Sequence, residues 1–187
     1  MPPEHYLTNQ FLIAMPALAD SNFSQTVMLM CEHNEHGALG IVINRPMQMR
    51  LADVFEQLNL STQDQPLREQ AILHGGPVQP DRGFVIHRAG TPWESTLVVS
   101  DTIHVTTSRD ILSAIAEGRG PEPVSMALGY AGWQAGQLEE EMAQNAWLNV
   151  PFDERILFGT PYEYRWQAAA RLLGINLSTL SSQAGHA

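Results

Sequence analysis

Two apolar runs, Ser24–Glu32 and Ala38–Asn44, flank the short loop Asn34-Glu35-His36-Gly37. No other feature of the chain constrains its fold as much. A glycine-containing loop of this length between strand-length runs predicts a hairpin, and hairpin strands pair antiparallel. The other apolar runs are equally short. Phe11–Met15 is stopped by Pro16, Arg45-Pro46 ends the second hairpin strand, and Ala71–His74 runs into Gly75-Gly76-Pro77. Gly83–His87, Thr96–Val99, Ile103–Thr106 and Val124–Leu128 read as further strands.

The period changes in four places. Leu51, Val54, Phe55 and Leu58 fall at i, i+3, i+4 and i+7, one face of a short helix. Ser61–Glu69 reads as a polar surface loop. Thr107 or Ser108 is placed to cap a helix that runs to about Glu117, with Gly118 past its end. A third helix is expected from about Gly136 to Asn145. Thr160-Pro161-Tyr162-Glu163 combines a capping box with proline at the first helical position. In the helix so started, Trp166, Ala169, Ala170 and Leu173 form the expected buried stripe, closed by Gly174. The expectation is one compact domain over residues 1–187, of α/β (α+β) type, with helices packed on a mixed, mainly antiparallel sheet.

The charged residues exclude several chemistries. All ten basic residues are arginine, against twenty acidic ones, for a formal net charge of −10. Without lysine there is no Walker-type phosphate loop, no pyridoxal-phosphate or Schiff-base site and no kinase-type strand lysine. The arginines are scattered singly and the balance is acidic, which argues against direct nucleic-acid binding. Hydrophobic residues make up 44% of the chain, enough for a core, yet no run approaches the ~20 apolar residues of a membrane span. Met1–His5 does not read as a signal peptide, and a single cysteine, Cys31, fits a reducing compartment. A cytoplasmic location is expected.

Several segments, in order along nearly the whole chain, together resemble the AlgH/YqgE family. They include Phe11–Pro16, Cys31–Asn34, Gly37–Gly40 with Val42–Pro46, and Gly75–Gln79 with Arg82–Val85. Thr106–Asp110, Leu128–Trp133 with Ala135–Glu139, Asn145–Leu148 and the C-terminal Ala184–Ala187 complete the set. The pattern departs from that family at Asn149–Asp153 and at Gln48 and Arg50. The resemblance implies a bacterial cytosolic protein of mixed α/β fold, from a family named for a genetic link to regulation of alginate production. It supplies no mechanism.

Four constellations are candidates for chemistry. Gly129, Gly132 and Gly136, with Trp133 and Gln137, lie between a strand and a helix, where backbone N–H groups can approach an anion. Their spacing is not that of a dinucleotide fingerprint, and Glu139–Glu141 would repel a phosphate, so a tight turn anchored by Trp133 is the simpler reading. Gly75, Gly76 and Pro77 with Arg82 form a second backbone-exposing turn able to hold a carboxylate or phosphate, or simply to end a strand. Ser108 and Arg109 mark a strand-to-helix junction where Arg109 can clamp an anion alongside Asn44 and Arg45, or where the hydroxyls only cap. Cys31, His33 and His36 invite a metal reading, since strand alternation puts Cys31 and His33 on one side. The spacing matches no zinc pattern, and a half-buried core thiol is expected instead. No G-x-S-x-G nucleophile elbow is present.

These residues motivate a non-enzymatic protein that acts in regulation through a protein partner or a small anionic ligand, with no cofactor and no metal. The expected ligand set is Asn44, Arg45, Gly75, Gly76, Pro77, Arg82, Ser108, Arg109, Gly132, Trp133 and Gln137. An unrecognised enzyme, for example a hydrolytic one, with a glycine-rich cleft is the alternative, and a DNA-binding transcriptional regulator the third reading.

Overall fold

The expected hairpin is present in the computed structural model, which describes residues 6–16 and 23–174. Met1–His5 and the C-terminal segment Ala184–Ala187 lie outside the described residues. Among the described residues ten strands form one sheet: β1 (Gln10–Ala14), β2 (Val27–Asn34), β3 (Gly37–Val42), β4 (Pro46–Arg50), β5 (Ala71–His74), β6 (Val78–Arg88), β7 (Thr96–Val98), β8 (Ile103–Thr106), β9 (Val124–Gln134) and β10 (Trp147–Pro151). The hydrogen-bonded order is β10-β1-β2-β3-β9-β6-β8-β7, with β4 and β5 branching from β9. Pairing is antiparallel except between β5 and β9. The sheet is mixed and mainly antiparallel, as expected.

The strand β9 holds the two halves together. Its first half pairs β6 on one side and β5 on the other, and its second half pairs β3. It was expected to end at Leu128 and turn through Gly129–Trp133; instead the strand continues to Gln134. Gly129, at φ +80°, supplies a local irregularity where a turn was expected. The glycine before β6 has a similar role. Gly76 sits at φ +157°, and a Cβ there would lie 2.1 Å from the Tyr130 carbonyl carbon. These glycines let two backbones approach closely.

The long apolar runs follow from burial on both faces. Along β2, Val27, Leu29 and Cys31 enter a central core with Phe11, Ile41 and Phe84. Met28 and Met30 enter a second core on the other face with Trp133 and Trp147. Strands covered on both sides read as continuous rather than alternating runs. The helices close the faces. α1 (Leu51–Gln57), the short α2 (Gln65–Arg68) and α3 (Arg109–Ala116) cover a third cluster around Val85 and Met126. α4 (Gln137–Ala143) seats Leu138 against the second core, and α5 (Glu154–Gly159) and α6 (Arg165–Arg171) cover the first. No helix among the described residues is long and apolar enough to cross a membrane.

Several boundaries differ from expectation. β4, β10 and α5 were not foreseen, α2 lies in the expected loop, and β6 begins five residues early at Val78. The capping box at Thr160 does not form. The Thr160 hydroxyl donates back to the Arg155 carbonyl at 3.0 Å, so it closes α5 instead of opening a helix. A 3-10 turn at Tyr162–Tyr164 follows, and α6 starts at Arg165. Leu173, placed in the buried stripe, is 42% exposed among the described residues, whereas Ala169 and Ala170 are fully buried.

Candidate functional site

The structure distributes the expected ligand residues over separate places. Asn44 accepts from the Val27 amide at 3.0 Å and donates to the Gln25 carbonyl at 2.9 Å. Arg45 donates to the Ser24 carbonyl at 2.9 Å. Both brace the entry to β2. Gly75 and Gly76 pack backbone to backbone on β9, with Pro77 following in the turn to β6. Arg82 reaches Gln79 at 3.4 Å and lies over the Phe84 ring at 5.5 Å. Ser108 and Arg109 border a depression of about 550 Å³ that also contacts Asp81 and Met126. Ser108 occupies the cap position of α3, but its hydroxyl donates to Asp110 and accepts from the Ser95 amide, so the helix receives no hydroxyl cap. Arg109 donates to the Leu58 carbonyl. Gly132, Trp133 and Gln137 line a shallow groove with Glu32 and His36. The three expected arginines thus bond to three different segments.

The metal constellation also separates. A bulge in β2 between Met30 and Glu32 inserts one residue into the alternation. Cys31 continues the alternation of Val27 and Leu29 and faces the central core at 1% exposure. His33 turns to the opposite face, where its Nε2 lies 3.1 Å from Glu139 on α4 and its Nδ1 accepts from the Leu7 amide. The expected common side for Cys31 and His33 is overturned by that one extra residue. His36 is exposed at the turn, with a side chain 85% accessible. Burial, with a smaller contribution from Glu32, pushes the Cys31 thiol far above its ordinary value and makes it a core residue rather than a nucleophile.

A histidine–hydroxyl pair lies between β6 and β8. His87 Nδ1 is 2.8 Å from the Arg88 carbonyl, which can only accept, so Nδ1 carries the proton. Nε2 then accepts from the Thr106 hydroxyl at 2.8 Å, and Thr106 meets Thr96 at 3.0 Å. A base–nucleophile pair has this contact, but His87 is 1% and Thr106 0% exposed. Burial holds His87 below its ordinary value, against the opposing pull of the Arg88 carbonyl, and keeps it neutral.

Arg165 is a different case, missed in the sequence. It opens α6 and shares a face with Ala169 four residues on, which carries it inward to 5% exposure. That i, i+4 relation to a buried alanine was the available signal. Nε donates to the Thr160 carbonyl at 2.8 Å and Nη1 to the Ile43 carbonyl at 2.6 Å, across the end of β3. The guanidinium carbon stands 4.6 Å from the Tyr162 ring centroid, a cation–π contact. Burial, partly opposed by Tyr162, lowers its pKa to about 10, so it stays charged at neutral pH.

Among the described residues no carboxylate pairs with Arg165, and the ion pairs there involve other groups. Among the described residues the guanidinium is met by two carbonyls and a ring rather than by a carboxylate, so neutral dipoles rather than a counter-charge offset its burial. Arg165 lines an open cavity of about 690 Å³ bordered by α2, the 118–123 segment, the start of β9, α5 and the 3-10 turn. A planar guanidinium in such a place suits a carboxylate or phosphate oxygen pair.

Comparison with known proteins places the chain among relatives. A family profile described as AlgH-like matches residues 11–178. The UPF0301 protein of Ralstonia pickettii is 55% identical over 181 residues, covering 97% of this chain and 95% of the relative. That of Nitrosococcus oceani is 51% identical, covering 97% of each. The solution structure of the AlgH protein from Pseudomonas aeruginosa superposes with a TM-score of 0.80 at 52% identity, over 100% of this chain and 99% of that one. A crystal structure from Corynebacterium diphtheriae shares the fold at 18% identity, with a TM-score of 0.74 over 94% and 91% of the two chains. The chain belongs to the AlgH-like family.

Proposed function

We propose that this protein is a non-enzymatic, cytoplasmic binding protein that takes a small anionic ligand on Arg165 and acts in regulation through the ligand's occupancy. The observation that carries the reading is a buried guanidinium, without a carboxylate partner among the described residues, on the wall of a cavity large enough for a small molecule. The sealing of His87–Thr106 and the burial of Cys31 favour binding over nucleophilic chemistry. The net charge of −10 and the absence of an arginine cluster in the sequence speak against direct DNA binding, although the family name is associated with regulation.

The test is a thermal-shift screen at low ionic strength with acetate, benzoate, inorganic phosphate and amino acids. A ligand that binds only the folded state raises the unfolding temperature by mass action. Shifts are expected for at least one carboxylate or phosphate and are expected to fall with added salt. No shift for any anion at millimolar concentration contradicts the reading.

A further inference from the structure

The charge arrangement of the Arg165 cavity narrows its ligand. Arg165 lines the cavity together with Ser125, which is 6% exposed. Leu67, Ile115 and Phe158 supply apolar surface. Two acidic residues, Asp64 and Glu122, border the cavity on its exposed side. Asp64 accepts from the Leu67 amide through one oxygen, at 3.2 Å, as the cap of α2. Neither acid makes an ion pair among the described residues. The lining therefore carries two carboxylates against one guanidinium. A polyanion satisfies Arg165 but meets like charge at the entrance, in a chain already at −10. A ligand with one anionic end and one cationic end meets opposite charge at both.

We propose that the ligand is amphoteric, with a carboxylate on Arg165, an apolar body over Leu67, Ile115 and Phe158, and a cationic group facing Asp64 and Glu122. This is the chemistry of an amino acid, or of a short peptide with a free C-terminal carboxylate and a basic group. The inference rests on the anion reading of Arg165 and adds the charge of the ligand's other end. The cavity volume of about 690 Å³ accommodates either source.

Calorimetric titration of the full chain at pH 7 and low salt distinguishes the outcomes. The probes are the tripeptide Lys-Leu-Ala, its C-terminal amide, free lysine, glutarate and pyrophosphate. Lys-Leu-Ala or lysine is expected to bind more tightly than glutarate or pyrophosphate. Converting the carboxylate to the amide is expected to weaken binding by about tenfold or more, the loss of a charge-assisted hydrogen bond. The double variant Asp64→Asn, Glu122→Gln removes only exposed carboxylates and is expected to abolish the preference for the amphoteric probes over glutarate. Equal binding of lysine and the tripeptide supports the free amino acid as the source, and preference for the tripeptide supports a peptide terminus. Tighter binding of glutarate or pyrophosphate than of every amphoteric probe overturns this inference and leaves the anion site standing. Binding of none of the five probes overturns this inference, and the anion reading then falls only if the wider screen is silent too.

Discussion

Trp133 and Trp147 donate their indole N–H groups to the same carboxylate oxygen, Glu141 Oε1, at 2.9 and 3.0 Å. The rings meet edge to face at 6.1 Å, and the second Glu141 oxygen accepts from Gln137 at 3.0 Å. One side chain of α4 thus joins β9 to β10 and closes the second core. Trp133 and Gln137, expected at a ligand site, are both engaged in this clamp.

The clamp predicts a ranked pair of stability losses. Glu141→Ala leaves two largely buried indole donors unsatisfied and is expected to cost about 2–4 kcal/mol. Glu141→Gln keeps an acceptor oxygen and is expected to cost about half as much. Urea unfolding followed by tryptophan fluorescence measures both; equal and negligible losses would show that the clamp contributes nothing.

Two glycines that look alike in sequence are expected to behave differently. At Gly76 a Cβ would overlap the Tyr130 backbone at 2.1 Å, at a positive φ. Gly76→Ala is expected to cost about 3 kcal/mol or more, because backbone atoms on both sides must move. At Gly132 the nearest atom to a new Cβ is the flexible edge of the Tyr130 ring at 3.4 Å. Gly132→Ala is expected to stay within about 1 kcal/mol of the parent. Thermal unfolding of the two variants decides the ranking.

Such positions mark where the sequence was legible and where it was not. The hairpin at Asn34–Gly37 was legible because its signal is local: two short runs and the loop between them. β10 was not, because it is a strand only through pairing with β1, with Gln10 opposite Pro151. The glycines at 75, 76 and 129 were read chiefly as turn glycines that could also let a ligand approach, and the structure uses them for one backbone to approach another. Sequence does not distinguish the two uses, since both require the absence of a Cβ. Cys31 and His33 were put on one side by an alternation that a bulge interrupts. Arg165 was passed over because a charged residue beside Trp166 reads as the solvent side of a helix, although its i, i+4 relation to the buried Ala169 puts it on the inward face.

Cys31 is expected to be chemically silent in the folded protein. Its thiol is buried and its pKa raised, so the reactive thiolate is scarce at pH 8. Labelling by an aromatic disulfide reagent should proceed at the rate of unfolding and become immediate in denaturant. Fast stoichiometric labelling of the native protein contradicts the placement of Cys31 in the core.

His87 gives a pH dependence of stated sign. Its pKa is lowered in the folded state, so below its ordinary value of 6.5 the unfolded chain binds the proton more readily. Stability from this group is therefore intact above pH 6.5 and declines as pH falls from 6.5 toward the folded-state value. Equilibrium unfolding of the parent and of His87→Asn, compared at pH 7.5 and 5.5, is expected to show the smaller loss in the variant. An equal loss in both assigns the acid sensitivity to other groups.

The Arg165 side chain itself reports most directly on the central claim. Its Nε–H donates to the Thr160 carbonyl and Arg165 lines the cavity, so its ¹H–¹⁵N resonance is expected to sense an anion arriving at the guanidinium. Titration of the unmodified protein with the tightest-binding carboxylate or phosphate is predicted to move that resonance saturably, with the same dissociation constant as calorimetry. A bound ligand that leaves the Arg165 resonance unmoved, while perturbing residues elsewhere, contradicts the assignment of the site.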